Sequence, residues 1–434
     1  MRALLIGTYE MGRQPFGLAS PAAWLRRAGW EVLCIDTSRQ EMDDAAVGAA
    51  DLIGLYLPMH TATRLALTLL PRLRALAPKA RICAFGLYAP MNAALLRAAG
   101  ADTILGPEFE ADLVAGVPGS GTGIPRLQFT VPDRRGLPPL SAYAHLHLPS
   151  GEHRITGYTE ASRGCKHQCR HCPIVPIYGG QFRIVAPDVV LADIRQQVEA
   201  GAEHITFGDP DFFNGPTHAM RIVEALHRDF PALSFDVTIK VEHLLHHSAL
   251  LPRLRAAGCA LITTAVESFD DAVLAKLDKG HTAADFFRAL DLTRRESLPL
   301  NPTFVSFTPW TTVTSFRAMF EALVEHELVH QIASVQFGIR LLIPEGSRIL
   351  ELPDAPQWLG AFDAEALSYR WRAPEPEAGE LCTRVQALVA QAAKARSTRE
   401  ETLAAVAGLT GGVRLPAPAA PRATIPYLDE PWFC

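Results

Sequence analysis

Residues 163–172 read Arg-Gly-Cys-Lys-His-Gln-Cys-Arg-His-Cys and place Cys165, Cys169 and Cys172 in the spacing CxxxCxxC. A [4Fe–4S] cluster ordinarily takes four cysteine ligands, so three thiolates in one loop leave one iron open to a group that is not protein. The alternative is a zinc site completed by His167 or His171. Structural zinc usually pairs CxxC with a second, distant pair of ligands, and no such pair follows here. The spacing therefore favours an iron–sulfur site.

Apolar runs on both sides of this loop predict a parallel sheet. One strand candidate, 155–159, precedes the loop, and helical stretches separate five later candidates. Six β/α units suit a partial TIM-like (β/α)6 barrel over residues 151–350, whose functional residues should lie at the C-terminal ends of the strands. The later candidates are 204–207, 234–239, 260–266, 301–307 and 334–342.

With the cysteine loop at the end of the first strand, residues 150–350 resemble the radical S-adenosylmethionine (SAM) superfamily. The resemblance implies that the open iron binds SAM and that an electron from the cluster breaks a C–S bond to give a carbon radical. In that family the residue before the third cysteine is usually aromatic and packs near the adenine. This sequence has His171 at that position.

Two further segments match the family's SAM contacts, each at a predicted strand end. Phe207, Gly208 and Asp209 stand in place of the glycine-rich edge that binds the methionyl amino group, with Asp replacing the more usual Glu. Glu267 closes a later strand where the family often has a ribose-binding carboxylate, and Lys240 closes the strand before it. From the residues alone, Asp209 and Asp211 also fit a turn cap, and Glu267 also fits a solvated helix entry.

Residues 1–115 alternate short apolar runs with helical patterns, which predicts a doubly wound, Rossmann-like α/β domain. The first turn lacks G-x-G-x-x-G, so NAD is not expected. The order of segments resembles the cobalamin-binding domain fused to many radical SAM enzymes. The resemblance implies cobalamin contacts after the third, fourth and fifth strands, at Pro58, Met59, His60, Gly86 and Gly106.

The cobalamin signature D-x-H-x-x-G is missing from this domain, so we expect no histidine ligand to cobalt from that motif. A histidine at a helix start, such as His60, is also typical of a capping or solvated side chain. A domain that kept its shape and lost its cofactor is the alternative.

The remaining segments predict connections and helices. Residues 116–150 are rich in Gly and Pro and predict a linker. Residues 351–434 predict a helical C-terminal region, with helices near 376–394 and 398–408 and then a tail too rich in proline for a regular element.

The bulk properties exclude several classes of partner. The chain has 434 residues, a net charge of −5 and no basic stripe, so nucleic acid is not expected. No apolar run approaches the roughly 18 residues needed to span a bilayer, and no secretory leader is recognisable, which predicts a cytoplasmic protein without membrane contact. Eight cysteines do not suggest a disulfide framework here. We expect buried, inert thiols at Cys34, Cys83, Cys259 and Cys382.

Cys434 ends the sequence and is a candidate catalytic thiol, because a terminal cysteine in a tail is exposed and potentially reactive. The domain order and this ending resemble a branch of cobalamin-type radical SAM proteins whose tail continues Cys-Ala-Glu-Pro or selenocysteine-Ala-Glu-Pro. We therefore hypothesise that the chain is a truncated translation of a selenoprotein, with a UGA codon after Cys434. A ragged terminus without function is the alternative.

The resemblance implies three candidate functions. The first is a radical SAM enzyme that transfers a methyl group to a small molecule with cobalamin and an external electron donor of the flavodoxin or ferredoxin type. The second transfers the aminocarboxypropyl group to a soft element such as arsenic, with Cys434 or a selenol as ligand. The third is a non-catalytic cobalamin or redox sensor.

Overall fold

The computed structural model describes residues 1–116, 126–373, 375–395, 397–411 and 425–429. Two sheets, one from each half of the chain, organise the fold. The first sheet has the strand order β2-β1-β3-β4-β5 and is parallel throughout. Its strands are β1 (Arg2–Gly7), β2 (Glu31–Asp36), β3 (Leu52–Tyr56), β4 (Arg81–Phe85) and β5 (Thr103–Leu105).

Helices cover both faces of the first sheet, because its strands are apolar on both sides. Side chains of the first and fifth helices pack on one face, and those of the third and fourth pack on the other. The predicted doubly wound domain is confirmed. The helices are α1 (Phe16–Arg27), α2 (Asp44–Gly48), α3 (His60–Leu76), α4 (Ala93–Ala98) and α5 (Glu110–Ala115).

The second sheet has the order β13-β12-β11-β10-β7-β6-β16, and its five strands from β7 to β13 run parallel. An antiparallel pair, β8 and β9, stands beside it. The strands are β6 (His145–His147), β7 (His153–Thr159), β8 (Ser162–Gly164), β9 (Phe182–Ile184), β10 (His204–Phe207), β11 (Ser234–Thr238), β12 (Cys259–Glu267), β13 (Leu300–Phe304) and β16 (Tyr427–Leu428).

Helices alternate with the parallel strands and pack on the sheet's apolar face, as the partial barrel predicts. Gly201, with φ of +97°, follows the predicted helix that begins at Pro187. These helices are α7 (Pro187–Glu199), α8 (Pro216–Asp229), α9 (Val241–His246), α10 (Leu251–Ala256), α11 (Asp271–Leu277), α12 (Ala283–Arg295) and α13 (Val313–Glu325). A short helix after the cysteine loop, α6 (Val175–Tyr178), instead packs Ile177 against the core of the first sheet.

One predicted strand of the barrel is wrong. Residues 334–342 do not form a strand: Ser334–Gly338 is a 3-10 helix, and a single bridge joins Arg340 to Phe307. The side chain of Gln336 explains the difference, because its Oε1 accepts a hydrogen bond from Phe304 N at 3.1 Å and completes the edge of β13. The sixth unit of the barrel is therefore a loop segment beside β13.

The ends of the second half differ from the sequence prediction in three places. Residues 145–147, in the predicted linker, form β6, which pairs antiparallel with β7. The proline-rich tail contributes β16, which pairs with β6. The C-terminal region contains the expected helices and also a β-hairpin. Its elements are α14 (Ala355–Trp358), β14 (Leu359–Asp363), β15 (Ser368–Trp371), α15 (Pro376–Ala395) and α16 (Arg399–Gly408).

None of the helices among the described residues combines the length and the apolar character that a membrane crossing requires.

Candidate active site

The cysteine loop is closed at its base by a short antiparallel pair. β8 and β9 place Gly164 opposite Phe182, so the chain enters and leaves the loop at neighbouring points. Gly164 has φ of +77°, and a Cβ there would lie 2.4 Å from the ring of Tyr178, so this turn requires glycine. The loop thus stands in a fixed position after the carboxyl end of β7.

The three loop cysteines are free thiols, with Cys169 buried and the other two partly buried. Burial raises the pKa of Cys165, and it raises the pKa of Cys172 to about 12. A bound metal would be needed to hold such groups as thiolates. The described cysteines outside the loop are buried, as expected: Cys34 in β2, Cys83 in β4, Cys259 at the start of β12 and Cys382 in α15.

Glu267, the last residue of β12, sits at a bulge with φ of +69°, a strained conformation for a residue other than glycine. Its Oε1 lies 3.0 Å from His171 Nε2 and 3.3 Å from Lys279 Nζ. Burial by itself raises the pKa of Glu267, but Lys279 and His171 outweigh burial and lower the pKa to about 2. Two predicted SAM contacts, His171 and Glu267, therefore meet directly.

Phe207 and Gly208 stand at the carboxyl end of β10, beside the cysteine loop. The side chain of Phe207 is buried in the barrel core. A Cβ on Gly208 would lie 1.8 Å from Tyr158 Oη, so glycine is required by the ring of Tyr158 that packs on it. The sequence prediction gave Gly208 a role in binding SAM, and the structure adds that Gly208 is required for packing against Tyr158.

Asp209 is buried, and both of its carboxylate oxygens have protein partners. One accepts from Ala161 N at 2.9 Å and the other from Ser162 Oγ at 2.5 Å. Burial raises the pKa of Asp209 to about 7. The side chain therefore braces the connection between β7 and β8, and its contact with SAM stays a prediction.

Lys240 follows β11, and its ammonium reaches into the cysteine loop. Lys240 Nζ lies 3.1 Å from His167 Nδ1 and 3.3 Å from Glu242 Oε2. His167 stands between the first two loop cysteines, and its ring also approaches Asp211 and His243. The predicted SAM contact at Lys240 is thus joined to a polar cluster under the loop.

The predicted cobalamin contacts follow the carboxyl ends of the first sheet. Pro58, Met59 and His60 are partly buried, and His60 Nε2 contacts the carbonyl oxygen of Ala366 in the β14–β15 turn. Burial lowers the pKa of His60, so the imidazole is neutral at pH 7. His60 therefore joins the first domain to the C-terminal hairpin.

The two glycines of this edge differ in their surroundings. Gly86 has φ of +114°, and a Cβ there would lie 2.8 Å from the carbonyl oxygen of Leu57. A Cβ on Gly106 would have no atom within 4 Å. Gly86 thus shapes the turn after β4, whereas Gly106 borders open space after β5.

A buried ionic cluster joins this edge to the base of the cysteine loop. Arg163 Nη2 lies 2.7 Å from Glu110 Oε1, and Arg163 Nε lies 2.7 Å from Glu160 Oε2. Tyr178 Oη donates to Glu108 Oε1 at 2.7 Å. Burial raises the pKa of Glu108 to about 7. Since Glu108 and Glu110 follow β5, the carboxyl ends of the two sheets face each other beside the loop.

Sequence patterns did not single out several residues of this region. Lys279, His243 and the Glu108–Glu110 pair are isolated polar positions in loops or on short helices, and only the fold brings them to the cysteine loop. Asp211 was expected to cap a turn and does so, since Oδ1 accepts from Phe213 N at 3.3 Å. Cys434 lies outside the described residues.

The sequence profile described as "Radical SAM superfamily" matches residues 159–310. The hopanoid C-3 methylase of Methylococcus capsulatus is 27% identical over 149 residues, which are 33% of this chain and 28% of that protein. The matched part therefore spans less than a third of that curated relative.

Two solved structures share the fold over most of this chain. The cobalamin-dependent SAM radical enzyme OxsB with aqua-cobalamin bound has a TM-score of 0.69 at 14% identity, covering 88% of this chain and 66% of that one. The radical SAM methyltransferase TsrM of Kitasatospora setae, with tryptophan and a SAM analogue bound, has a TM-score of 0.67 at 15% identity and covers 89% of each chain.

Proposed function

Because residues 159–310 form a radical SAM domain, we propose that this chain is a radical SAM enzyme that works with cobalamin and transfers a methyl group to a small molecule. The observation that carries the proposal is that the carboxyl ends of the strands of the two sheets face each other. The edge of the first sheet, where doubly wound domains bind ligands, faces the loop of Cys165, Cys169 and Cys172. Similarity to methylases that work on small molecules supports the same conclusion.

The cysteine loop fits a [4Fe–4S] cluster. Its three thiols are free and close enough to influence one another's ionisation, and no cysteine elsewhere among the described residues joins them at the carboxyl ends of the barrel strands. One iron would then be open to the amino and carboxylate groups of SAM. When bound, the cluster and SAM supply a carbon radical, and cobalamin supplies the methyl group.

The chain's own residues would bind and orient SAM. The carboxylate of Glu267, ionised by its contacts with Lys279 and His171, is placed to accept hydrogen bonds from the ribose. His171 would lie beside the adenine, with its Nδ1 free of protein partners. Lys240 would contact the methionyl carboxylate from the neighbouring strand end.

Cobalamin would bind between the two edges, over the turns that contain Met59, Gly86 and Gly106. No protein atom would lie within 4 Å of a Cβ on Gly106, so a ligand could approach the backbone there. Because His60 is bound to Ala366, we propose that the cobalt has no histidine ligand from this turn.

The expected partners are a small-molecule substrate and an electron donor of the flavodoxin or ferredoxin type in the cytoplasm. No nucleic-acid partner is expected, given the net charge of −5.

Anaerobic reconstitution with iron and sulfide, with and without hydroxocobalamin, tests the proposal. The wild type should show cluster absorption, bind cobalamin and convert SAM to 5′-deoxyadenosine and S-adenosylhomocysteine under reduction. The variant with Cys165, Cys169 and Cys172 changed to Ala should lose the cluster absorption and SAM cleavage, whereas Cys382→Ala should keep both. Unchanged cluster absorption in the triple variant would remove the proposal.

The products separate this function from the alternatives. Methylthioadenosine in place of 5′-deoxyadenosine would indicate aminocarboxypropyl transfer and contradict methyl transfer. Cobalamin binding without any SAM cleavage would indicate a sensor.

A further inference from the structure

Three side chains form a compact cluster under the cysteine loop, apart from the three thiols. They are His167 of the loop, Asp211 after β10 and His243 of α9, and their ligand atoms lie within 4.8 Å of one another. The side chains of Asp211 and His243 are 2% and 6% exposed, and that of His167 is 14% exposed. Two imidazoles and one carboxylate are ligands typical of zinc and ferrous ions.

Two of the three separations in this cluster match those between the ligands of a metal ion. His167 Nε2 lies 3.3 Å from His243 Nε2 and 3.4 Å from Asp211 Oδ2. Ligand atoms around a tetrahedral zinc ion, with bonds near 2.0–2.1 Å, are separated by about 3.3 Å. The separation of His243 Nδ1 from Asp211 Oδ2 is shorter, at 2.6 Å.

Asp211 supplies the second observation, because one of its oxygens has no hydrogen bond. Oδ1 accepts from Phe213 N at 3.3 Å and from Lys240 N at 3.4 Å, which fixes the orientation of the carboxylate. Oδ2 is buried and forms no hydrogen bond of standard geometry, although His243 Nδ1 lies 2.6 Å and His167 Nε2 lies 3.4 Å from it. His243 Nδ1 is likewise buried without one. A buried, unsatisfied carboxylate oxygen is costly unless a cation or donor completes it.

Two charged side chains stand beside the ring of His167. Lys240 Nζ lies 3.1 Å from His167 Nδ1, and Glu242 Oε2 lies 3.6 Å from His167 Nδ1 and 3.3 Å from Lys240 Nζ. With a metal on Nε2 the proton of the ring would be on Nδ1, so Lys240 would pair with Glu242 alone and Glu242 would accept from Nδ1. Two carboxylates, Asp211 and Glu242, stand beside Lys240, which has a single ammonium, and a divalent cation would offset this excess of acidic groups.

We propose that His167 Nε2, Asp211 Oδ2 and an imidazole nitrogen of His243 bind one divalent transition-metal ion of the zinc or ferrous type. The ion would tie the cysteine loop to the end of β10 and to α9. It is distinct from the cluster bound by the cysteines, and it does not depend on the proposed methyl transfer.

Zinc content beyond the cluster tests the site in the whole, reconstituted chain. After incubation with Zn²⁺ and anaerobic gel filtration, the wild type should retain about one zinc ion per chain in addition to about four irons. His243→Asn should retain its iron and lose the zinc, whereas His246→Asn, an exposed position on the same helix, should retain both. Equal zinc in the wild type and His243→Asn, or none in the wild type, would overturn the proposal.

X-ray absorption at the zinc edge of the wild type gives a second measurement that does not depend on how a variant folds. The first shell should contain only nitrogen and oxygen, with the outer-shell scattering of imidazole. Sulfur in the first shell would place the zinc on the cysteines and refute the site. Because iron content and SAM cleavage are measured on the same samples, failure of the zinc site and failure of the proposed function are separate results.

Discussion

Replacing Arg163 by Met should be the most destabilising single change at the contact between the two sheets. Its guanidinium is 8% exposed and lies 2.7 Å from both Glu110 and Glu160, which are 0% and 13% exposed. Removal of one partner from a buried ion pair typically costs about 3–5 kcal/mol, because the remaining charge stays buried and unpaired. Since a domain is held by about 5–15 kcal/mol in total, much of the stability of this region should be lost.

Urea unfolding at neutral pH measures this loss for Arg163→Met, Glu110→Gln and the double variant. Glu110→Gln removes one of the stranded carboxylates, so the double variant should be more stable than Arg163→Met by about 1–3 kcal/mol. Arg135→Met is the control, because Arg135 is 77% exposed and solvent screens its pair with Asp133, so this change should leave the free energy of unfolding close to that of the wild type. A loss in Arg163→Met no larger than in Arg135→Met, or no recovery in the double variant, would refute the reasoning.

Three other changes test the site through stability alone. Glu267→Gln should lower the free energy of unfolding by about 3 kcal/mol, because the buried ammonium of Lys279 loses its counter-ion, and urea titration measures this. Burial raises the pKa of Asp209 to about 7, so its protonated carboxyl stabilises the folded state most at a pH below its unfolded pKa of about 4. This contribution is lost as the pH rises to about 7. The melting temperature of the wild type should therefore fall more steeply between pH 5 and 8 than that of Asp209→Asn. Gly208→Ala should destabilise by about 1–3 kcal/mol, because the new Cβ meets Tyr158, whereas Gly106→Ala should have no effect on the melting temperature.

The parallel strands could be predicted because they are short runs rich in apolar and β-branched residues and bounded by turn residues. The predicted strands 103–105 and 204–207 are the observed β5 and β10. Residues 334–342 contain a similar apolar run, but the buried side chain of Gln336 accepts a hydrogen bond at the edge of β13, and Ser334–Gly338 forms a 3-10 helix instead of a strand. β6 and β16 lie in proline-rich segments, and they become strands by pairing, β6 with β7 and β16 with β6.

The cysteine loop was found in the sequence because all its ligands lie within eight residues, whereas the rest of the site is assembled from distant segments. His171 and Glu267 are 96 positions apart, and Arg163 and Glu110 are 53 apart. Lys279 and His243 carry no local pattern that distinguishes them from surface residues. Their positions follow from the barrel, which brings successive strand ends to one rim.

The anchoring of the cysteine loop has a consequence for how the protein is made. Arg163 before the loop and Tyr178 after it both bind the first domain, through Glu110 and Glu108. During translation the N-terminal domain emerges from the ribosome first and can fold before the loop is synthesised. The newly made loop would then bind to the folded first domain, which would fix its conformation. Iron would therefore be inserted after the first domain has folded.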